Sequence, residues 1–151
     1  MITIEQIKKL RIATDMPVID CRQALEEAEG DENKALEVLK AKGVARAEKK
    51  AEREVKSGLI ESYAHSTGKI GVLVEVACET DFVARNDDFK KLCHELALQI
   101  ASMNPKDVEE LLKQDYIREP GKKVSDLLKE TIGKIGENIV IRRFVRFELG
   151  E

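Results

Sequence analysis

Aromatic residues are scarce in this 151-residue chain: there is no tryptophan, and two tyrosines with four phenylalanines make up 4% of it. A surface that stacks nucleotide bases needs exposed rings, so this scarcity argues against one. Cysteine is sparse too. Cys21, Cys78 and Cys93 are odd in number, widely spaced and without a Cys-x-x-Cys pair, which counts against a secreted disulfide framework. All three stand in apolar patterns and read as reduced core thiols of a cytoplasmic protein. Positive charge has no surplus: 26 Lys and Arg stand against 29 Asp and Glu, giving a net charge of -3. That is a mixed, solvated surface, not the basic field of a general nucleic-acid binder. No apolar run approaches the ~18 residues of a membrane span, since the most apolar stretch, around Val72, is interrupted by Glu75. Met1 to Glu5 has neither a basic region nor a long apolar core, so no signal peptide is expected.

Chemistry-bearing constellations are missing as well. His65 and His94 are the only histidines, and no third and fourth ligand appear at metal spacing. There is no Gly-x-Ser-x-Gly elbow, and Gly133-Lys134-Ile135-Gly136 has neither Walker spacing nor a preceding strand. No catalytic residue, metal or cofactor is expected. A chain so equipped acts by contact.

What is present is helical and strand periodicity, and at this length it fills one domain, or a small one joined to a larger. Thr3-Ile4-Glu5-Gln6 reads as a capping box, and Ile4, Ile7 and Leu10 give a first helix its apolar side. Pro17 suits the first turn of a second helix, with Asp15 near its cap; Val18, Cys21, Leu25 and Ala28 line it, and Gly30 closes it. Asp31 caps a third helix carrying Ala35, Val38 and Leu39, with Gly43 as its stop. These three helices make a compact bundle over residues 1–43. Residues 44–56, mostly Ala, Glu, Lys and Arg, read as a charged helical linker with a solvated face. A larger core follows over 57–151.

That core opens with two strands, Gly58 to His65 and Ile70 to Cys78, joined by a loop in which Gly68 supplies any positive φ. Phe89, Leu92, Cys93, Leu96, Ala97 and Ile100 form the apolar stripe of a helix from Asp87 to about Met103. A short helix over Asp107–Lys113, a turn at Glu119-Pro120-Gly121 and a helix lined by Val124, Leu127, Leu128, Ile132 and Ile135 come next. Gly133 should weaken that helix and Gly136 end it. The last strand runs from Asn138 to Leu149; alternation puts Ile139, Ile141, Val145 and Phe147 on a core face and Val140, Arg142, Phe144 and Arg146 on the other. The fold class is therefore α+β: a three-helix bundle, then a three-stranded antiparallel sheet with flanking helices.

Cys78-Glu79-Thr80-Asp81-Phe82-Val83-Ala84-Arg85-Asn86 joins the second strand to the long helix. Asn86, before Asp87-Asp88, is placed as an N-cap with a negative first turn. Thr80 can cap a single turn of its own, holding Asp81 and Phe82 at a corner. Two readings stand: Phe82 folds back on the core as a staple, or ring and carboxylate are presented to a partner.

Three stretches together resemble the elongation factor Ts family. They are Gly71-Val72-Leu73-Val74-Glu75 running into Cys78 to Asn86; Arg11-x-x-Thr14 with Asp20 to Ala28 and Gly30-Asp31; and Ile135 to Ile139 with Arg142-Arg143-Phe144-x-Arg146-Phe147-Glu148. The resemblance implies a nucleotide exchange factor of elongation factor Tu, acting in the cytoplasm. It implies that the bundle is ubiquitin-associated-like and docks on the partner's nucleotide-binding domain. Thr80, Asp81, Phe82 and Val83 would intrude beside the partner's magnesium site, with Arg11, Thr14, Met16, Arg85 and Asn86 as supporting contacts. Longer members of the family carry two core halves and a helical insertion; only one half is present here. A homodimer is expected from that, with Val140, Arg142 and Phe144 as its seam. Two rival classes remain for comparison. One is an RNA-binding accessory protein using Lys49, Lys50, Arg53, Arg142, Arg143 and Arg146; the other is a thiol enzyme using Cys78 or Cys93.

Overall fold

A computed structural model describes all of residues 1–151. The fold is α+β, with seven helices and a three-stranded antiparallel sheet. Helices α1 (Ile4–Thr14), α2 (Val18–Glu27) and α3 (Glu32–Lys50) form the amino-terminal bundle. The Thr3 capping box is closed in both directions, by Gln6 N to Thr3 Oγ1 at 3.2 Å and Thr3 N to Gln6 Oε1 at 3.0 Å. Asp15 does not cap α2; it sits at φ 54° and ends α1 through its amide, bonded to the Arg11 carbonyl. Leu10, Met16, Cys21, Ala24, Leu25, Ala35 and Leu39 fill a small core between the three helices.

The expectation of a stop at Gly43 is overturned. Helix α3 runs through Gly43 to Lys50, and Ala47 is buried in the larger core. The reason lies on a distant segment. Helix α7 (Val124–Ile135) crosses α3 at Gly133, and a Cβ there would meet the Gly43 backbone. Neither glycine punctuates; the missing Cβ of Gly133 lets the two helix backbones touch at Gly43, which lone-helix propensity cannot reveal.

In the core, β1 (Ser57–Ala64) pairs with β2 (Ile70–Cys78), and β2 with β5 (Ile139–Glu148), in the order β1-β2-β5. A one-turn helix α4 (Asp81–Ala84) leads into α5 (Asp87–Met103), which lies across β1 and β2. Phe89, Leu96 and Ile100 on α5 are fully buried against Val72, Val74 and Val76 on β2. Each such side chain contributes about 1.5–3 kcal/mol by leaving water. The short helix α6 (Val108–Lys113) follows, capped by Asp107. Residues 119–123 are not a simple turn: β3 (Asp115–Tyr116) and β4 (Glu119–Lys123) pair as a small ribbon around Ile117-Arg118.

The last strand corrects a second expectation. Strict alternation is broken where Glu75↔Arg143 gives way to Val76↔Ile141, leaving Arg142 as an extra residue. Such a bulge shifts all later side chains to the opposite face. Ile139 and Ile141 therefore face the core, but beyond the bulge Phe144 and Arg146 turn inward while Val145 and Phe147 turn to solvent. The outer sheet face thus carries Ile60, Leu73, Val145 and Phe147, with Leu73 directly opposite Val145.

Candidate functional site

Strand β2 delivers the chain to a corner whose shape is set by a few polar groups. Thr80 is extended (φ -131°) and caps α4: the Val83 amide donates to Thr80 Oγ1 at 3.3 Å and the Ala84 amide to the Thr80 carbonyl at 3.2 Å. Beneath it, the Cys78 thiol donates to the same carbonyl at 3.2 Å. Val83 and Ala84 face the core and are buried, so the turn rests on them. Geometry then leaves Asp81 and Phe82 on the outer side. Phe82 is 80% exposed, so its ring does not fold back into the core as a staple. Asp81 is tethered, its carboxylate accepting a short hydrogen bond from the Ser57 hydroxyl at the start of β1. Arg85 Nε donates to the Asp81 carbonyl at 3.3 Å, and Asn86 caps α5 by accepting from the Asp88 amide at 2.7 Å.

A second segment holds this corner from behind. Glu137 Oε1 accepts from the Glu79 amide at 3.1 Å and the Thr80 amide at 3.0 Å, while Oε2 accepts from the Thr80 hydroxyl at 2.8 Å. Glu79 reciprocates: its carboxylate accepts from the Asn138 amide at 2.6 Å. Asn138 is buried, and its side-chain amide donates to the Ala51 and Arg53 carbonyls at 3.3 and 2.8 Å, just past the end of α3. Gly136, at φ 91°, ends α7 and aims Glu137 and Asn138 at these partners. The sequence assigns no bracing role to Ser57, Glu137 or Asn138, although Glu137 and Asn138 stand in the Ile135 to Ile139 stretch that carries the family resemblance. The available signal was two polar residues between a C-cap glycine and an apolar strand, where a solvated loop needs neither.

The remaining predicted contacts divide. Arg11 and Arg85 are exposed, but Thr14 is half-buried, donating to the Leu10 carbonyl at 2.8 Å. Met16 is 4% exposed and belongs to the bundle core, with Arg46 against its sulfur, so it is not on display. The exposed apolar side chains of that end are Ile12, Val18 and Ile19. Val140, Arg142 and Phe144 are not brought onto one face, because the bulge separates them and Phe144 packs on the core.

Alternative chemistries find little support here. Arg142 donates to the Val55 carbonyl, Arg143 pairs with Glu75 at 2.9 Å, and Arg146 is buried against the Ala101 carbonyl, so these arginines do not form one open patch. Cys93 is fully buried, and burial pushes its thiol up to about 12; Cys78 is raised too, first by burial and then by Glu137. Neither is a ready nucleophile. No three His, Cys, Asp or Glu side chains converge as a metal site, and no helix is long and apolar enough to cross a membrane.

The corner thus carries an exposed ring beside a tethered carboxylate, on a turn braced from two sides. A family model described as "Elongation factor TS" matches residues 79–151. The elongation factor Ts of Thermoanaerobacter sp. (strain X514) is 45% identical, over all of this chain and 96% of that protein. That of Coprothermobacter proteolyticus is 45% identical over 99% of each chain, and that of Thermotoga neapolitana 43% over 99% and 98%. The chain belongs to the elongation factor Ts family, translation elongation factors whose role is nucleotide exchange. The alignment to the Thermoanaerobacter protein runs to 196 positions, 45 more than this chain has residues.

Proposed function

We propose that this chain promotes GDP release from elongation factor Tu by pressing the Asp81-Phe82 corner against the elements that hold the partner's magnesium ion. The observation that carries this reading is the uncovered Phe82 ring on a turn braced on both sides. Magnesium demands near-octahedral oxygen coordination and is sensitive to small displacements of its ligands. Packed interiors shift rather than compress, so a ring driven between side chains moves the elements that carry those ligands. One oxygen of Asp81 is engaged by Ser57, and the carboxylate can still accept from partner groups. The free energy comes from the interface, because exchange factor and GDP weaken each other's binding by the same factor. Truncating Phe82 should cost roughly 2–4 kcal/mol of that coupling, as expected of a contact hot spot.

The bundle serves as the docking arm through exposed Ile12, Val18 and Ile19 beside Arg11. A homodimer would use the outer sheet face of Ile60, Leu73, Val145 and Phe147 in place of the alternate residues of β5, a reading supported by the exposure of those four side chains. The site of action is the cytoplasm. The test is release of fluorescent GDP from elongation factor Tu at increasing concentrations of this chain. Phe82→Ala and Asp81→Ala should each slow release while circular dichroism and melting stay unchanged. Full exchange by the double variant would reject the role given to this corner.

A further inference from the structure

Glu137 lies 57 residues from Thr80 in sequence, yet it supplies the only carboxylate that grips the amino-terminal side of the displayed turn. We infer that Glu137 is a positioning residue for exchange, holding the Asp81-Phe82 corner in its presented orientation without touching the partner through its bonded oxygens. This rests on the reading that the corner acts on the GTPase.

Three donors converge on the one carboxylate: the Glu79 amide, the Thr80 amide and the Thr80 hydroxyl. Hydrogen bonds to a charged acceptor are about twice as strong as neutral ones. The hydroxyl bond has a further effect. By donating its proton to Glu137, Thr80 Oγ1 is left with its lone pairs toward the Val83 amide, which it accepts at 3.3 Å. Glu137 therefore fixes the rotor of the very side chain that caps α4. Without it, the Thr80 hydroxyl turns freely and the two amides at the strand end lose their acceptor. Four residues in one turn have no hydrogen-bonding reserve against that loss, since a single-turn helix is held by its cap.

The brace is also separable from the fold. Glu137 is only half-buried and contributes no apolar surface, whereas the neighbouring Asn138 is buried and ties down the Ala51 and Arg53 carbonyls. Val83 and Ala84 stay anchored in the core whatever happens to Glu137. Removing the carboxylate should thus loosen the orientation of the corner and leave its attachment. A looser corner spends less time in the arrangement that moves the partner's metal ligands, while the docking contacts of the bundle are unaffected. The signature is a lower maximal rate with unchanged half-saturation.

The experiment uses the full chain with Glu137→Ala, Glu137→Gln and, as reference, Phe82→Ala. Two readings are taken: GDP release from elongation factor Tu against factor concentration, and hydrogen exchange of the Thr80 and Val83 amides in the free chain. Glu137→Ala should speed exchange at both amides and lower the saturating release rate about tenfold, with the half-saturating concentration within twofold. Glu137→Gln keeps one acceptor oxygen and should recover part of both. Wild-type release and protection in Glu137→Ala, beside a defective Phe82→Ala, would overturn the inference alone. A proportional rise in half-saturation together with a lost melting transition in both Glu137 variants would also overturn it, since the residue would then be a general support. Faster amide exchange in Glu137→Ala with wild-type release in Phe82→Ala would instead reject the reading of the corner and leave the brace standing as a structural fact.

Discussion

Gly133 on α7 sits against Gly43 on α3 so closely that a Cβ on Gly133 would stand 2.6 Å from the Gly43 Cα and 2.8 Å from its carbonyl oxygen. The relation is not symmetric, because a Cβ on Gly43 would meet nothing within 4 Å. Gly133→Ala must push two backbones apart and should cost about 1–3 kcal/mol, the usual penalty of overpacking. Gly43→Ala enters open space within a helix and should be neutral or gain up to about 1 kcal/mol. Chemical denaturation of the two variants checks the sign. Equal losses in both would show that the crossing is looser than described.

Self-association should reside on the outer sheet face. Phe147 and Leu73 are exposed there, and Glu75 with Arg143 forms a charged pair beside them. Phe147→Glu or Leu73→Glu should leave the melting transition of the isolated fold near wild type, because neither side chain is in the core. Sedimentation equilibrium should show a species of twice 17.0 kDa for the wild type and a monomer for either variant. A wild-type monomer at high micromolar concentration would remove the seam.

Alkaline stability should fall in a defined window. The Cys93 thiol is raised from 9.0 to about 12, chiefly by burial, with Glu61 adding to it. The native chain keeps that proton up to about 12, whereas the unfolded chain gives it up near 9. The native state therefore binds more protons between those values, and stability declines as pH rises through them, by up to about 1.4 kcal/mol per pH step. Below 9 the contribution is fully present. Cys93→Ala should flatten part of the decline, leaving a share from Tyr116, which burial and Glu95 also raise to about 12. At pH 7 Cys93 should resist alkylation until the chain unfolds; rapid labelling would contradict its buried state.

Much of this molecule is legible from local pattern. The α5 stripe from Phe89 to Ile100, the Thr3 capping box, the Asp31 and Asn86 caps and the β1-β2 hairpin depend on residues within a turn or two of each other, and all appear in the structure. The features that escaped are those whose cause lies elsewhere in the chain. Gly43 resembles a stop until Gly133 is beside it. Phe144 and Phe147 exchange faces because one extra residue, Arg142, enters the ladder opposite Glu75 and Val76. Met16 looks available beside Pro17, but three helices close around it. The corner itself was readable as a capped turn, whereas Glu137, its support, comes from a motif 57 residues further on. Whether Phe82 packs or projects could not follow from its neighbours alone, because Val83 and Ala84 take the inward positions.

That Phe82 is carried on a turn already folded and pinned has a thermodynamic consequence for recognition. Ordering a flexible segment on contact would cost about 1–2 kcal/mol of backbone entropy for each residue fixed. Here that loss is incurred when the chain folds, long before any encounter. If the corner acts as proposed, an approaching GTPase meets a finished surface, and more of the contact energy remains to act on what it holds.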